Sequence, residues 1–236
     1  MTIKPVALVT GGTSGIGLAT ARLLAENGYD IAICGRNTPR LHQARAAIQK
    51  SRAGTRALAI PADFSEPLSS PQMCDQTFTE FGRLDVVVNA AAVAALSSFD
   101  AITTEQFDEM LNVNIRSLFH VTQAAWRIMQ QQGNGTIINV SSLAAVDPFD
   151  GLGIYGASKA WLDLLTRSLA REGKRWGIRV HSVQPGAVET PMLRGLFPDF
   201  PAEQTVSPED VAEVIFGLLD PCWRNSNGQI VQVSRQ

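Results

Sequence analysis

Tyr155 and Lys159 are the two side chains in the sequence best suited to acid–base chemistry. They are four residues apart at the start of an apolar helical pattern, so both project from one face of the predicted helix. An unperturbed phenol, with a pKa of about 10, exchanges protons poorly at neutral pH, but a nearby ammonium lowers that pKa. The pair therefore indicates general acid–base chemistry on a substrate oxygen. The alternative is an amphipathic helix with a packed tyrosine and an exposed lysine.

Polar residues in two other segments could assist that chemistry. Ser141 and Ser142 follow the apolar run that ends at Val140, and a hydroxyl there could hold the substrate oxygen. Side chains alternate along a strand, so the two serines must point in opposite directions. Further upstream, the largely apolar face after Asn114 favours a buried, hydrogen-bonded role for this residue rather than for Asn112. A solvated position or a local kink is the alternative for either asparagine.

A glycine-rich turn, Thr10-Gly11-Gly12-Thr13-Ser14-Gly15-Ile16-Gly17, joins the first predicted strand to the first predicted helix. Glycines allow a sharp turn and let a pyrophosphate approach the helix N-terminus, where free N–H groups and the helix dipole favour anions. The spacing, Gly-x-x-x-Gly-x-Gly, differs from the standard dinucleotide fingerprint. The turn therefore indicates a phosphate site, with simple packing of the strand against the helix as the alternative.

Short apolar runs and helical patterns alternate along the chain, and these elements must position the side chains above. Strands are predicted at 6–10, 31–34, 56–60, 84–89, 136–141, 178–183 and 229–233. Helices are predicted at 16–27, 39–50, 68–81, 104–131, 155–176 and 208–219. The alternation predicts an α/β fold, a doubly wound parallel sheet (Rossmann fold) of about seven strands with helices on both faces. Ligands bind such a sheet at the carboxyl ends of its strands.

Composition excludes several classes of function. The 236 residues are 45% hydrophobic and 18% charged with a net charge of −2, and neither a linker nor a repeat divides them, so 1–236 is predicted to be a single domain. The charge balance provides no basic field for nucleic acid or anionic lipid. The N-terminal apolar run reaches glycines too soon for a signal peptide, and the longest apolar stretch, 86–96, is too short to span a bilayer.

The cysteines and histidines do not indicate a metal site. Three scattered cysteines fit neither a disulfide framework nor a zinc site, and they favour a reducing cytoplasm. His42, His120 and His181 are far apart in sequence and are predicted to serve packing. We therefore expect no bound metal and a cytoplasmic location.

Four segments in order resemble the classical short-chain dehydrogenase/reductase (SDR) family. They are the glycine-rich turn, Asn89-Ala90-Ala91-Ala92, Tyr155-Gly156-Ala157-Ser158-Lys159, and Pro185-Gly186-Ala187-Val188-Glu189-Thr190. Each motif is weak alone, but together they fall at strand ends and cover the chain from about Val6 to Val233. The resemblance implies an oxidoreductase that transfers a hydride between a nicotinamide cofactor and a carbonyl or secondary alcohol.

The resemblance also implies roles for individual residues. Its implied catalytic residues are Asn114, Ser142, Tyr155 and Lys159, with family spacing selecting Ser142 over Ser141. Tyr155 would exchange the proton and Ser142 would hold the substrate oxygen. Lys159 would bind the nicotinamide ribose and lower the phenol pKa, and Asn114 would hold a water that resupplies the proton. The implied cofactor contacts are Gly11, Thr13, Ser14, Gly15, Ile16, Gly17, Arg36, Asp63, Phe64, Asn89, Ala90, Tyr155, Lys159, Pro185, Gly186, Val188 and Thr190.

The end of the second predicted strand indicates which cofactor binds. In relatives that use NAD, an acidic residue there accepts hydrogen bonds from the adenosine ribose and repels the phosphate of NADP. Here that position is Gly35, and the planar fork of the following Arg36 suits a phosphate. We therefore expect NADP(H), with a surface arginine as the alternative. Asp63 matches the family's adenine-binding aspartate, with Phe64 beside it.

The sequence departs from the family pattern at three places. Ala91 replaces a glycine after the fourth strand, so that loop must adopt a conformation that alanine tolerates. The C-terminus lacks the family's aspartate-glycine-glycine ending, and the substrate-covering loop, at about 191–207, is short. The implied partners are a small carbonyl or alcohol substrate and further copies of the chain, as a homodimer or homotetramer.

Two other functions remain open at this point. A dehydratase or epimerase of the extended branch of the family would need a larger C-terminal substrate domain than this chain has. A non-catalytic NADP-binding sensor or scaffold protein would keep the fold, but such proteins typically lose a catalytic side chain. All four are present here, which favours the enzyme.

Overall fold

A computed structural model describes residues 4–66 and 70–235, and these contain a single seven-stranded parallel sheet. The strands are β1 (Val6–Thr10), β2 (Asp30–Gly35), β3 (Ala57–Pro61), β4 (Val86–Asn89), β5 (Gly135–Val140), β6 (Ile178–Pro185) and β7 (Ile230–Val233). Their order across the sheet is β3-β2-β1-β4-β5-β6-β7. The predicted doubly wound fold is confirmed, and its strand order reverses between β1 and β4.

The helices cover both faces of this sheet. They are α1 (Gly15–Glu26), α2 (Thr38–Ser51), α3 (Pro71–Phe81), α4 (Thr104–Met110), α5 (Leu118–Gln132), α6 (Gly153–Gly173), α7 (Pro191–Leu196) and α8 (Pro208–Gly217). The first two residues of the predicted helix 68–81, Leu68 and Ser69, lie outside the described residues. No helix within 4–66 and 70–235 is long and apolar enough to cross a bilayer.

Strand side chains alternate between two apolar clusters, one on each face. In β1, Ala7 and Val9 join the cluster formed with α1, α2 and α8, whereas Leu8 joins the cluster formed with α3, α5 and α6. All five residues of β1 are buried, as expected of a strand that is covered on both faces. Burial of apolar area at about 25 cal/mol per Å² is what holds these layers together.

The long predicted helix 104–131 contains an irregular segment. A seven-residue π-helix, Leu111–Ser117, separates α4 from α5. Such wide turns are rare and occur often at functional sites. Here the segment carries Asn114, whose side chain is buried between the loop after β4 and α6.

The loops at the reversal point are tied together by Thr10, the last residue of β1. Its hydroxyl accepts hydrogen bonds from the backbone N–H groups of Ala90 (3.1 Å) and Ala91 (3.2 Å). A Cβ added at Gly11 would lie 2.9 Å from the backbone of Ala91, so this close approach requires glycine. No non-glycine residue in the described ranges has a positive φ. The loop after β4 therefore does adopt a conformation that alanine tolerates.

Candidate active site

One large cleft runs along the carboxyl ends of the strands, with a volume of about 640 Å³. Predicted site residues that line it are Gly11, Thr13, Ser14, Gly15, Ile16, Gly17, Arg36, Phe64, Ala90, Ser142, Tyr155, Lys159, Pro185, Gly186, Val188 and Thr190. Asp63, Asn89 and Asn114 do not line it. A cleft of this size at the reversal point of an α/β sheet is where such folds bind ligands.

The glycine-rich turn forms one wall of the cleft and leads into α1. A Cβ at Gly17 would collide with the carbonyl oxygen of Gly11, so glycine is required where the turn folds back on itself. A Cβ at Gly15 would lie 3.0 Å from the Thr190 methyl carbon on the opposite wall. The walls are thus close together, and the start of α1 offers free N–H groups to an anion. These residues fit the pyrophosphate of a nicotinamide dinucleotide.

Ser142, and not Ser141, contacts Tyr155. The Ser142 side chain lies close enough to the Tyr155 phenol to lower its pKa, and its hydroxyl accepts a hydrogen bond from Ala144 N at 3.2 Å. Ser141 is buried, and its hydroxyl donates to the Lys159 carbonyl at 3.2 Å. The opposite orientations expected from strand alternation are therefore present.

Gly156 explains why Tyr155 and Ser142 come so close. A Cβ at Gly156 would lie 2.5 Å from the carbonyl oxygen of Ala144. Glycine thus lets α6 pack directly against the 3₁₀ turn Leu143–Ala145, which follows Ser142. Sequence reasoning missed this role because it depends on a contact between two separate elements.

Lys159 is buried and held next to the Tyr155 ring. Its ammonium donates to the Val140 carbonyl at 2.8 Å and lies 5.6 Å from the ring centroid. Burial lowers the pKa of Lys159 to about 8, although the nearby Asp163 carboxylate favours the charged form. Asp163 itself accepts hydrogen bonds from Ser182 (2.9 Å) and Gln184 (2.7 Å), which fixes that negative charge below the site.

The expected lowering of the phenol pKa is not produced by the protein groups alone. Burial raises the pKa of Tyr155, and the hydrogen bond with Ser142 only partly offsets this. The phenol is therefore protonated at neutral pH. A lower pKa during oxidation requires an additional positive charge, such as that of an oxidised nicotinamide ring.

Asn114 joins the loop after β4 to α6. Its amide accepts from Val93 N (2.9 Å) and donates to Val93 O (2.9 Å) and Ser158 Oγ (3.2 Å). Ser158 in turn donates to the Tyr155 carbonyl at 2.7 Å. Both amide protons are thus committed to protein partners, so the Asn114 side chain positions the helix that carries Tyr155.

Asn89 is not among the residues that line the cleft. Its amide nitrogen donates to Asn139 Oδ1 (2.9 Å) and Thr122 Oγ1 (3.1 Å), and Asn139 donates to Thr166 Oγ1 (2.8 Å). The side chain of this last residue of β4 points into the interior, where it links β4 to β5 and α5. The Asn89 side chain thus ties the sheet to α5, and its contact with the cofactor stays a prediction.

Arg36 and Asp63 lie at the end of the cleft next to β2 and β3. The Arg36 side chain is 54% exposed, and its Nη1 lies 3.9 Å from Glu109 Oε1. Water screens this exposed ion pair, so the attraction between the two side chains is weak. Asp63 accepts from Ser65 N (2.9 Å) and Ser65 Oγ (2.7 Å), and these bonds together with the Arg36 charge outweigh desolvation and lower its pKa. Phe64 is buried beneath this end of the cleft.

The far wall of the cleft carries Thr190 and a largely apolar segment. Thr190 caps α7 by accepting from Leu193 N at 3.2 Å, and its hydroxyl can donate to Val188 O at 3.2 Å. Sequence reasoning placed a substrate-covering loop at about 191–207, and its apolar residues Leu193, Leu196, Phe197 and Phe200 all line the cleft. It had missed Phe149, Leu152 and Arg235, which reach the cleft from segments without a motif.

The described residues contain no group of three or more His, Cys, Asp or Glu side chains that could hold a metal ion. Cys34, Cys74 and Cys222 are free thiols.

Comparison with known proteins agrees with this geometry. The short chain dehydrogenase family model matches residues 5–200. An uncharacterized oxidoreductase of Staphylococcus epidermidis is 35% identical over 225 residues, which cover 95% of each chain. A short chain dehydrogenase from Burkholderia cenocepacia, solved in complex with NADP, is 35% identical with a TM-score of 0.89, covering 98% of this chain and 96% of that one.

A second solved structure differs in its cofactor. The 3-ketoacyl-(acyl-carrier-protein) reductase from Brucella melitensis, complexed with NADH, is 27% identical with a TM-score of 0.88, covering 99% of this chain and 98% of that one. The two structures share the fold and differ in nucleotide, so the fold alone does not choose between NADP and NAD. The sequence match, the strand order and the Ser142–Tyr155–Lys159 arrangement agree on one classification. The chain belongs to the short-chain dehydrogenase family of oxidoreductases.

Proposed function

We propose that the protein is an NADP(H)-dependent oxidoreductase that transfers a hydride between nicotinamide and a carbonyl or secondary alcohol carbon, with Tyr155 as the general acid and base. The observation that carries this proposal is that Ser142, Tyr155 and Lys159 line the same cleft, with the Lys159 ammonium 5.6 Å from the Tyr155 ring centroid. At the other end of the same cleft, the glycine-rich turn offers a phosphate site. A substrate between these two features would meet a proton donor and a cofactor together.

In reduction, Tyr155 donates its proton to the carbonyl oxygen while Ser142 donates a hydrogen bond to the same oxygen. When bound, the reduced nicotinamide supplies the hydride. Burial keeps the phenol protonated, which is the form that reduction requires. The Ser142 hydroxyl is prepositioned, so it stabilises negative charge on the oxygen without reorganisation. In oxidation, the roles reverse and Tyr155 accepts the proton.

Lys159 and Asn114 support this exchange. Lys159 is buried beside the Tyr155 ring and is the group we assign to the ribose hydroxyls of the cofactor. Its pKa of about 8 lets it gain or lose a proton near neutral pH, which suits a relay. Asn114 positions α6 through Ser158, and a relay water near it remains a proposal. Val188 and Thr190, on the opposite wall, would orient the nicotinamide carboxamide.

The preference for NADP rests on Arg36 and Gly35. Arg36 lines the cleft after β2, and Glu109, on a different element, lies 3.9 Å from its guanidinium. Gly35 provides no carboxylate that would repel a phosphate, and a Cβ there would meet the Thr13 side chain at 2.6 Å. We assign the adenine to the neighbourhood of Phe64 and Asp63.

The substrate is proposed to be a small molecule with an apolar body. Five large apolar side chains line the same cleft as Ser142, namely Leu143, Phe149, Leu196, Phe197 and Phe200. We further propose a cytoplasmic homodimer or homotetramer that binds neither nucleic acid nor membrane. Large apolar side chains exposed on two helices, Phe119 (42%) on α5 and Leu164 (68%) on α6, support self-association.

The proposal is tested by incubating the protein with NADPH or NADH and a panel of ketones and aldehydes while following oxidation of the reduced nicotinamide. We expect turnover of at least one apolar carbonyl with NADPH. Tight NADPH binding with no turnover of any carbonyl or alcohol would instead support the sensor or scaffold function. Equal kcat/KM with the two cofactors would contradict the NADP assignment.

A further inference from the structure

Three cationic side chains line the cleft, and the proposed function uses only two of them. They are Arg36, Lys159 and Arg235, and no Asp or Glu is among the described lining residues. Arg36 is assigned to the cofactor phosphate and Lys159 to the ribose and to Tyr155. Arg235, near the C-terminus, has no role in cofactor binding or proton transfer.

The order of strands places Arg235 at the end of the cleft that is farthest from Arg36. Arg36 follows β2 and Arg235 follows β7, which are five positions apart in the order β2-β1-β4-β5-β6-β7. At about 4.8 Å per strand, the two arginines are separated by roughly 24 Å. Ser142 follows β5, only two positions from β7, so Arg235 lies about 10 Å beyond the proposed reaction centre.

The segment that carries Arg235 is fixed against the segment after β6. Gly186 N donates to Val233 O at 2.9 Å. A Cβ at Gly186 would lie 3.4 Å from the Ser234 Cβ and 3.9 Å from a Leu143 methyl carbon. The residue before Arg235 thus packs beside Gly186 on the Ser142 side of the cleft.

The carboxylate whose pKa the charge of Arg235 lowers is Asp210, at the start of α8. Asp210 accepts a hydrogen bond from Ser207 N, in the capping box of α8, and makes no close ion pair with Arg235. No ion pair or hydrogen bond of Arg235 occurs among residues 4–66 and 70–235. Arg194, in the same region, differs because it is paired with Glu189.

We infer that Arg235 is a specificity-determining residue that binds a carboxylate at the far end of the substrate. This inference rests on the proposed function and adds the substrate class: a carbonyl compound with an apolar body and one anionic group about 10 Å from the reacting carbon. The apolar side chains that line the cleft together with Ser142 and Arg235 would contact the body. A planar guanidinium matches a carboxylate, and a single cation balances a monoanion better than a dianionic phosphate.

A matched pair of probes tests the charge preference. The keto acid 9-oxodecanoate has eight bonds between its two functional carbons, which is roughly 10 Å at about 1.2 Å per bond in an extended chain. Its amide, 9-oxodecanamide, has the same length without the charge. We expect the parent protein to reduce the acid with a kcat/KM about tenfold above that of the amide. Arg235→Gln should remove this preference by raising KM for the acid and should leave kcat/KM for the amide unchanged.

Arg22→Gln is the matched control, because Arg22 is exposed on α1, does not line the cleft, and its loss changes the net charge equally. Calorimetric binding of decanoate and decanamide to the NADPH-saturated protein supplies a readout that needs no turnover. If no carbonyl or alcohol of the panel turns over but decanoate binds about tenfold more weakly to Arg235→Gln than to the parent, the inference stands and the proposed function fails. If Arg235→Gln and the parent bind decanoate equally, or reduce acid and amide with the same ratio, the inference is overturned while the oxidoreductase function stands.

Discussion

His181 provides a measurable link between burial and stability. It lies within β6 and is fully buried, and neither ring nitrogen has a hydrogen-bond partner among the described residues. Its ring centroid is 6.3 Å from that of Trp223, in an edge-on arrangement. Burial, with a smaller contribution from the positive charge of Arg179, lowers the pKa of His181 from 6.5 to about 4. The folded protein therefore holds this imidazole neutral where an unfolded chain would protonate it.

The sign and size of the effect follow from that difference. Between about pH 6.5 and about pH 4 the unfolded state binds a proton that the folded state does not, so the free energy of unfolding falls as the pH falls. At roughly 1.4 kcal/mol per pKa unit, the full effect is about 3 kcal/mol below pH 4, of which about 2 kcal/mol is reached at pH 5. For a chain of this length, 2 kcal/mol corresponds to a Tm change of about 4–8 °C.

The test compares the parent protein with His181→Leu by thermal unfolding at about pH 7.5 and about pH 5, at one fixed protein concentration. On going from about pH 7.5 to about pH 5, the Tm of the parent should fall by about 4–8 °C more than the Tm of the variant. His42→Leu, at an exposed position on α2, should behave like the parent. The reasoning is wrong if His181→Leu loses as much stability on acidification as the parent does, since the acid sensitivity would then come from other groups.

Three further substitutions test the site. Arg36→Leu should weaken NADPH binding at least tenfold in a fluorescence titration with little effect on NADH, and equal losses would contradict the phosphate role. Ser142→Ala should lower kcat by roughly 10²-fold, whereas Ser141→Ala should be mild, and a reversal would mean that the hydroxyl facing the substrate has been misassigned. Lys159→Met should impair both NADPH affinity and turnover, because its ammonium is assigned to the ribose hydroxyls and lies beside the Tyr155 ring; a folded variant that keeps both would contradict those roles.

The fold was predictable because its signals are local. Strands buried on both faces appear as short apolar runs such as β1 and β4, and helices between them follow from periodicity and from glycine stops. The opposite orientations of Ser141 and Ser142 follow from strand alternation alone. Features of this kind need only the residues within one element.

Other parts of the site depend on contacts between distant segments. The collision that a Cβ at Gly156 would make with Ala144 exists only once α6 has packed on the turn after β5. The inward orientation of Asn89 depends on Asn139 and Thr122, and the π-helical turn at Asn114 depends on Val93 and Ser158. The raised pKa of Tyr155 could not be predicted either, because it comes from burial in the folded protein. The four-residue spacing to Lys159 had predicted a lowered pKa instead.

The central claim is that the Tyr155 hydroxyl exchanges the proton with the substrate oxygen, and Tyr155→Phe tests it most directly. This change keeps the ring that packs beside Lys159 and removes only the hydroxyl that meets Ser142. The measurement is single-turnover NADPH oxidation by parent and variant, with a carbonyl that the parent reduces, after NADPH binding and Tm have been shown to match. The account predicts that the variant binds NADPH and stays folded but loses turnover by about three orders of magnitude or more. A folded, NADPH-loaded variant that reduces the carbonyl near the parent rate would contradict it.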